Sequence, residues 1–145
     1  MIDTNVWLAA ILRRERSACF VLDHVKAGVL RVCTPLPIIG EVVGVLHEMG
    51  LPLRDLKRGI VVLIRILCGN SAFFHPRIAL GACVEDPSDN VFLDCAYEAN
   101  ATIVSKNTHL LELDSQVSSR TGALIRVLAP EHYMREAMTL GGTLT

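Results

Sequence analysis

The sequence predicts an α/β domain: a mainly parallel sheet with helices packed over both of its faces. Short apolar, β-branched segments alternate with longer amphipathic ones, the pattern of strand–helix–strand units. The strand candidates Leu30 to Thr34 and Thr102 to Val104 are largely apolar, as suits strands buried on both sides. Pro and Gly stand where helices would begin and end, at Pro37, Pro52 and Pro130 and at Gly28 and Gly50. With 145 residues, 51% hydrophobic and 20% charged, the chain suits a single domain over 1–145 with an ordinary core.

Met1 to Thr4 reads as the end of a very short first strand. Trp7 to Leu12 follows as a helix, closed by the charged run Arg13-Arg14-Glu15-Arg16. Ser17 is placed to cap a second helix, which shows Phe20, Val21, His24 and Val25 on one face and stops at Gly28. Leu30 to Thr34 is a strand ended by Pro35. Pro37 opens a helix to about Met49, and Pro52 opens another to about Leu67. Phe73-Phe74 and Ile78 to Leu80 fit more than one element type. Glu85 to Asn90 carries loop and helix-start chemistry, and Val91 to Ala99 continues as a helix with Phe92, Leu93 and Ala96 on one face. Thr102 to Val104 is a buried strand, Leu110 to Leu113 a helical turn and Leu124 to Leu128 the last strand. Pro130 begins a final helix that ends near Gly141-Gly142.

Composition narrows the function classes. Lys and Arg number 14 against 15 Asp and Glu, a formal net charge of -1, which excludes strong general attraction to nucleic acid but not a local basic groove. Aromatic residues make up 5%, too few for base stacking to be the main device. The five cysteines are odd in number and never form Cys-x-x-Cys, which argues against a disulfide scaffold or a zinc ribbon. The longest apolar stretch, Ile60 to Cys68, is broken by Arg65 and too short to span a bilayer. No secretory signal precedes the first strand, so the expectation is a reduced, cytoplasmic, soluble protein with no membrane segment.

Parallel sheets gather ligands at the carboxyl ends of their strands, which directs attention to polar residues just after each strand. Asp3-Thr4-Asn5 follows the first strand, and Ser105-Lys106-Asn107 follows Thr102 to Val104. Glu41 is an acid among apolar neighbours, and Asp86 and Asp89 flank the start of the Val91 helix. Carboxylates aimed at one spot repel, by about 4 kcal/mol per pair at roughly 4 Å and an effective dielectric near 20. A hard divalent cation relieves that repulsion, and oxygen ligands without His or Cys suit Mg2+ or Mn2+. Such ions polarise phosphoryl oxygens and activate water, which points to phosphodiester hydrolysis. Each acid also has a plainer use: Asp3 and Asp89 as helix caps, Glu41 as an outward-facing helix residue.

Four blocks in order, Ile2-Asp3-Thr4-Asn5-Val6-Trp7, Glu41-Val42-Val43-Gly44-Val45-Leu46, Asp86-Pro87-Ser88-Asp89-Asn90-Val91 to Ala96, and Ile103-Val104-Ser105-Lys106-Asn107 to Leu111, resemble a PIN domain. More narrowly, they are similar to the toxin components of toxin–antitoxin systems, over a span from Ile2 to about Pro130. The resemblance implies a three-layer α/β/α fold with a mainly parallel central sheet, and a Mg2+- or Mn2+-dependent ribonuclease. Asp3, Glu41 and Asp89 match the family's metal-binding, catalytic acids, with Asp86 assisting. Asn5 and Ser105 match polar groups that orient the acids. Asn107 stands where many relatives carry a fourth Asp; its carbonyl oxygen can still ligate, but the site loses one negative charge, which weakens metal binding and disfavours a second cation. The resemblance also implies an RNA substrate, a small antitoxin protein covering the acidic pocket, and a homodimer. Arg13, Arg14, Arg16 and Lys106 are candidates for phosphate contacts.

Other motifs fail. His47-Glu48 lacks the second His of a zincin helix, no phosphate-binding glycine loop occurs, and Ser105 has no adjacent His to activate it. A phosphatase of the haloacid-dehalogenase type would need an Asp at Asn5. The loss of the fourth acid and the clipped first strand leave a second reading open, a catalytically silent module that binds RNA or acts as a scaffold.

Overall fold

The computed structural model describes residues 1–81, 83, 87–113 and 125–141. In chain order, α1 (Thr4–Leu8) runs into a π-helical turn (Ala9–Arg13) and then α2 (Arg16–Lys26). The strand β1 (Val32–Pro35) leads directly into α3 (Leu36–Glu48), then α4 (Leu53–Asn70) and β2 (Ser71–Phe74). A 3-10 turn (Pro87–Asp89) opens α5 (Asn90–Glu98), followed by β3 (Ile103–Val104), a helical α6 (residues 108–113), β4 (Val127–Leu128) and α7 (Pro130–Gly141). The α/β expectation holds, and every described strand pairing is parallel.

β3 lies between the first residues and β4. On one side the Val104 amide donates to Met1 O at 2.9 Å and the Asp3 amide to Val104 O at 3.0 Å. On the other, β3 pairs with β4, Ile103 opposite Val127. β1 pairs with β2 in a second ladder, Val32 opposite Ser71. The first strand is therefore a single bridge at Ile2, yet enough to carry Asp3 to the end of the sheet. The buried Trp7 indole secures that corner by donating to Ile2 O at 3.2 Å.

Several boundaries shift for identifiable reasons. The first helix starts at Thr4 rather than Trp7, because Asp3 is extended and its carbonyl already accepts the Val6 and Trp7 amides. Ser17 does not cap α2; it lies inside the helix and its hydroxyl donates to Glu131 Oε1 at 2.7 Å. Phe73-Phe74 forms part of strand β2, while Ile78 to Leu80 is loop. Gly28 and Gly50 end their helices as expected, with φ of +73° and +60°, a region that favours glycine. Of the last strand, Leu124 lies outside the described residues, as does Gly142 at the end of the final helix.

One apolar cluster joins these parts. Val6 and Trp7 of α1, Val21 of α2, Leu46 of α3, Leu63 of α4 and Leu93 of α5 are all buried in it. All five cysteines are free thiols. Among the described residues, no helix is long and apolar enough to cross a membrane.

Candidate active site

Two acids are brought to one place by two different helix starts, Asp3 after the bridge at Ile2 and Asp89 at the end of the 3-10 turn. Asp3 precedes α1 and Asp89 precedes α5, each at the N-cap position. Neither side chain closes a capping hydrogen bond. Both face the segment after β3 instead. Ser105 Oγ donates to Asp3 Oδ2 at 2.5 Å, and the Asn107 amide donates to Ser105 Oγ at 2.8 Å. Asn107 Nδ2 donates to Asp89 Oδ2 at 3.0 Å, and Asn107 Oδ1 accepts from the His109 amide at 3.0 Å. The path Asp3–Ser105–Asn107–Asp89 is thus a continuous hydrogen-bonded brace. Asn5 supports it from behind, its Oδ1 accepting the Lys106 amide at 3.1 Å.

Asp3, Asn5, Asp89 and Asn107 line a cleft of about 330 Å³ together with Thr4, Glu41 and Ser88, while Ser105 is fully buried. Glu41 is not embedded among apolar side chains as its sequence neighbours suggested. α3 buries Ile38, Val42 and Leu46 as one stripe, and Glu41 is exposed, lining the cleft one turn before Val45. Asp3 and Asp89 are buried, 6% and 7% exposed. Burial pushes the Asp3 carboxyl above its ordinary range, and the Glu41 charge adds to that rise. The Ser105 hydroxyl acts in the opposite sense, as do the nearby Thr4 and Asn5 amides, which favour the charged carboxyl without completing a cap bond, and together they do not offset the rise.

Among the described residues the donor set is oxygen-rich and free of sulfur and imidazole, which fits a hard cation such as Mg2+ or Mn2+. Among the described residues, no group of three or more His, Cys, Asp or Glu side chains forms a ready-made metal cluster. The three acids share the cleft without closing on one point. Asp86 lies outside the described residues.

The basic candidates stand elsewhere. Lys106 Nζ is ion-paired with Glu15, and Arg13 approaches the same carboxylate at 3.7 Å. Arg14 lines a different cleft, between α2 and α4. None of Arg13, Arg14, Arg16 and Lys106 is among the described residues lining the acidic cleft.

Sequence reasoning missed two features. α5 presents three acceptors one turn apart that fasten the preceding loop: Glu98 takes the Arg77 amide at 2.6 Å, Asp94 the Leu80 amide and Asn90 the Cys83 amide, both at 2.8 Å. Their spacing by four was a visible signal for a common helix face. The second is Thr4, a residue lining the cleft whose buried hydroxyl has no hydrogen-bond partner; no sequence signal marks it.

The parallel pairings and the cleft shared by Asp3, Glu41 and Asp89 define an α/β domain with an acidic cleft. The PIN domain family profile matches residues 1–109, and the chain belongs to that family. Neither the curated proteins nor the solved structures gave a match. PIN domains are generally nucleases that act on nucleic acid and typically use divalent metal ions, so nuclease activity is the function the family suggests.

Proposed function

We propose that this protein is a Mg2+- or Mn2+-dependent endoribonuclease, the toxin of a toxin–antitoxin pair, with Asp3, Glu41 and Asp89 as its metal-binding, catalytic acids. The observation that carries the reading is that these acids, from three distant stretches of chain, line one cleft whose electrostatics already disfavour a charged Asp3. A divalent cation bound there would neutralise the acids and supply a polarised water for attack on the phosphodiester. The protein's own part is orientation. Ser105 holds Asp3, and Asn107 holds Asp89 through its amide rather than serving as an acid. Asp86, in the same sequence block as Asp89, is proposed to assist through water. The cleft's acidic lining means the RNA phosphate approaches only with the cation in place.

The partner protein is proposed to be an antitoxin that covers this cleft. A homodimer is proposed through α3 and α4, which expose Leu36, Leu53, Val61 and Ile64. Incubating the full chain with labelled RNA, with Mn2+ and with EDTA, tests the activity: cleavage with the ion and none with the chelator is expected. Light scattering of the same sample tests the dimer.

One observation favours a second reading, an RNA-binding module without catalysis: the Asn107 amide occupies an oxygen of Asp89. Titrating Mn2+ by calorimetry separates the two, since absence of binding at millimolar ion favours the silent module.

A further inference from the structure

We infer that the Thr4 hydroxyl is a binding group for the hydrated divalent cation of this cleft, accepting a hydrogen bond from the ion's hydration shell; the inference rests on the metal-dependent reading above. Thr4 is 5% exposed and lines the cleft beside Asp3, Glu41 and Asp89. Its Oγ1 is the one buried side-chain polar atom among the described residues with no hydrogen-bond partner. Buried polar atoms are nearly always satisfied, and an unsatisfied one destabilises the fold that holds it. A group left in that condition inside a cleft is matched to something that enters the cleft.

The surroundings select the ligand's sign. The other polar groups named in the brace are committed to one another: Ser105 to Asp3 and Asn107, Asn5 to Lys106, Asn107 to Asp89. The charged side chains lining the cleft among the described residues are all carboxylates, so a bare anion would meet repulsion. A small hard cation keeps several of its waters when bound by one or two carboxylates. Each retained water is a strong donor, and a hydroxyl oxygen is the acceptor it needs.

Two variants of the full chain test this, with Mn2+ alone as the probe. Thr4→Val is nearly isosteric and lacks the hydroxyl, whereas Thr4→Ser keeps it. By calorimetry, Thr4→Val is expected to bind Mn2+ about three- to tenfold more weakly and Thr4→Ser within about twofold of wild type. The metal-free melting temperature of Thr4→Val is expected to equal or exceed that of wild type, because an unsatisfied hydroxyl has been removed. Wild-type Mn2+ affinity in Thr4→Val would overturn the inference alone. A lowered metal-free melting temperature together with weakened binding would also overturn it, by making Thr4 a packing residue. If the wild type binds no Mn2+, the metal-dependent reading fails first and this inference with it.

Discussion

Two carboxylates in this molecule each accept a hydrogen bond from a serine hydroxyl, and they respond in opposite directions. Glu131, at the start of α7, takes Ser17 Oγ at 2.7 Å and is held below the ordinary carboxylate range, chiefly by that bond. Asp3, at the end of the sheet, takes Ser105 Oγ at 2.5 Å and is pushed above it. The hydrogen bond is the same kind in both. The difference is environment: Glu131 is exposed and seams α2 to α7, whereas Asp3 is buried and shares its cleft with Glu41. The seam is complete as folded, with His24 Nδ1 and Tyr133 Oη also paired at 2.7 Å. The cleft is polar, strained by like charge and left with one unsatisfied hydroxyl. One place pairs its polar groups within the fold, and the other leaves like charge and a hydroxyl unmet, as the proposed cation site would.

The largest expected effect is at the cleft. Asp89→Asn should reduce Mn2+-dependent RNA cleavage more than about a hundredfold with a nearly unchanged melting temperature. Full activity in that variant would remove Asp89 from the chemistry. Next, Ser105→Ala breaks the brace between Asp3 and Asn107 and leaves buried groups unpaired. Chemical denaturation should show a loss of about 1–3 kcal/mol.

A smaller effect of opposite sign is expected for Asp3→Asn without metal. Because the folded state raises the Asp3 pKa, this carboxyl weakens the fold once ionised, so its cost appears as pH rises above about 4. The variant should therefore be more stable than wild type at neutral pH and lose that advantage on acidification. A pH series of melting temperatures that ran the other way would break the contrast between the two carboxylates. The smallest effect belongs to the seam. Glu131 has a lowered pKa, so its contribution is present above the ordinary range and lost as pH falls through the lowered value. Being exposed, the pair is screened, and Ser17→Ala should cost under about 1 kcal/mol by denaturation.

Much of this was legible in the chain. The α/β class followed from alternating segment types, and Gly28 and Gly50 stop helices where sequence placed them. Asp3, Asn5, Ser105 and Asn107 were singled out because they follow strands, Glu41 because it breaks an apolar run and Asp89 because it flanks the start of a helix. The roles of individual side chains were less legible. Ser17 has the chemistry of a cap, yet bonds to a helix more than a hundred residues away. Lys106 offers a cation after a strand, yet spends it on Glu15. Glu41 sits between Gly40 and Val42, yet the buried stripe of α3 turns it outward.

Periodicity, punctuation and residue type are local, so they suffice to name the elements, their order and the acids worth watching. Which oxygen meets which donor depends on packing between elements remote in sequence. The Ser105–Asp3 contact, the loop fastened along α5 and the unmet Thr4 hydroxyl exist only once Met1 to Asp3 lie against β3 and α5 closes beside them. Burial, and with it the balance between hydrogen bonding and desolvation at each carboxyl, comes into being at that same step.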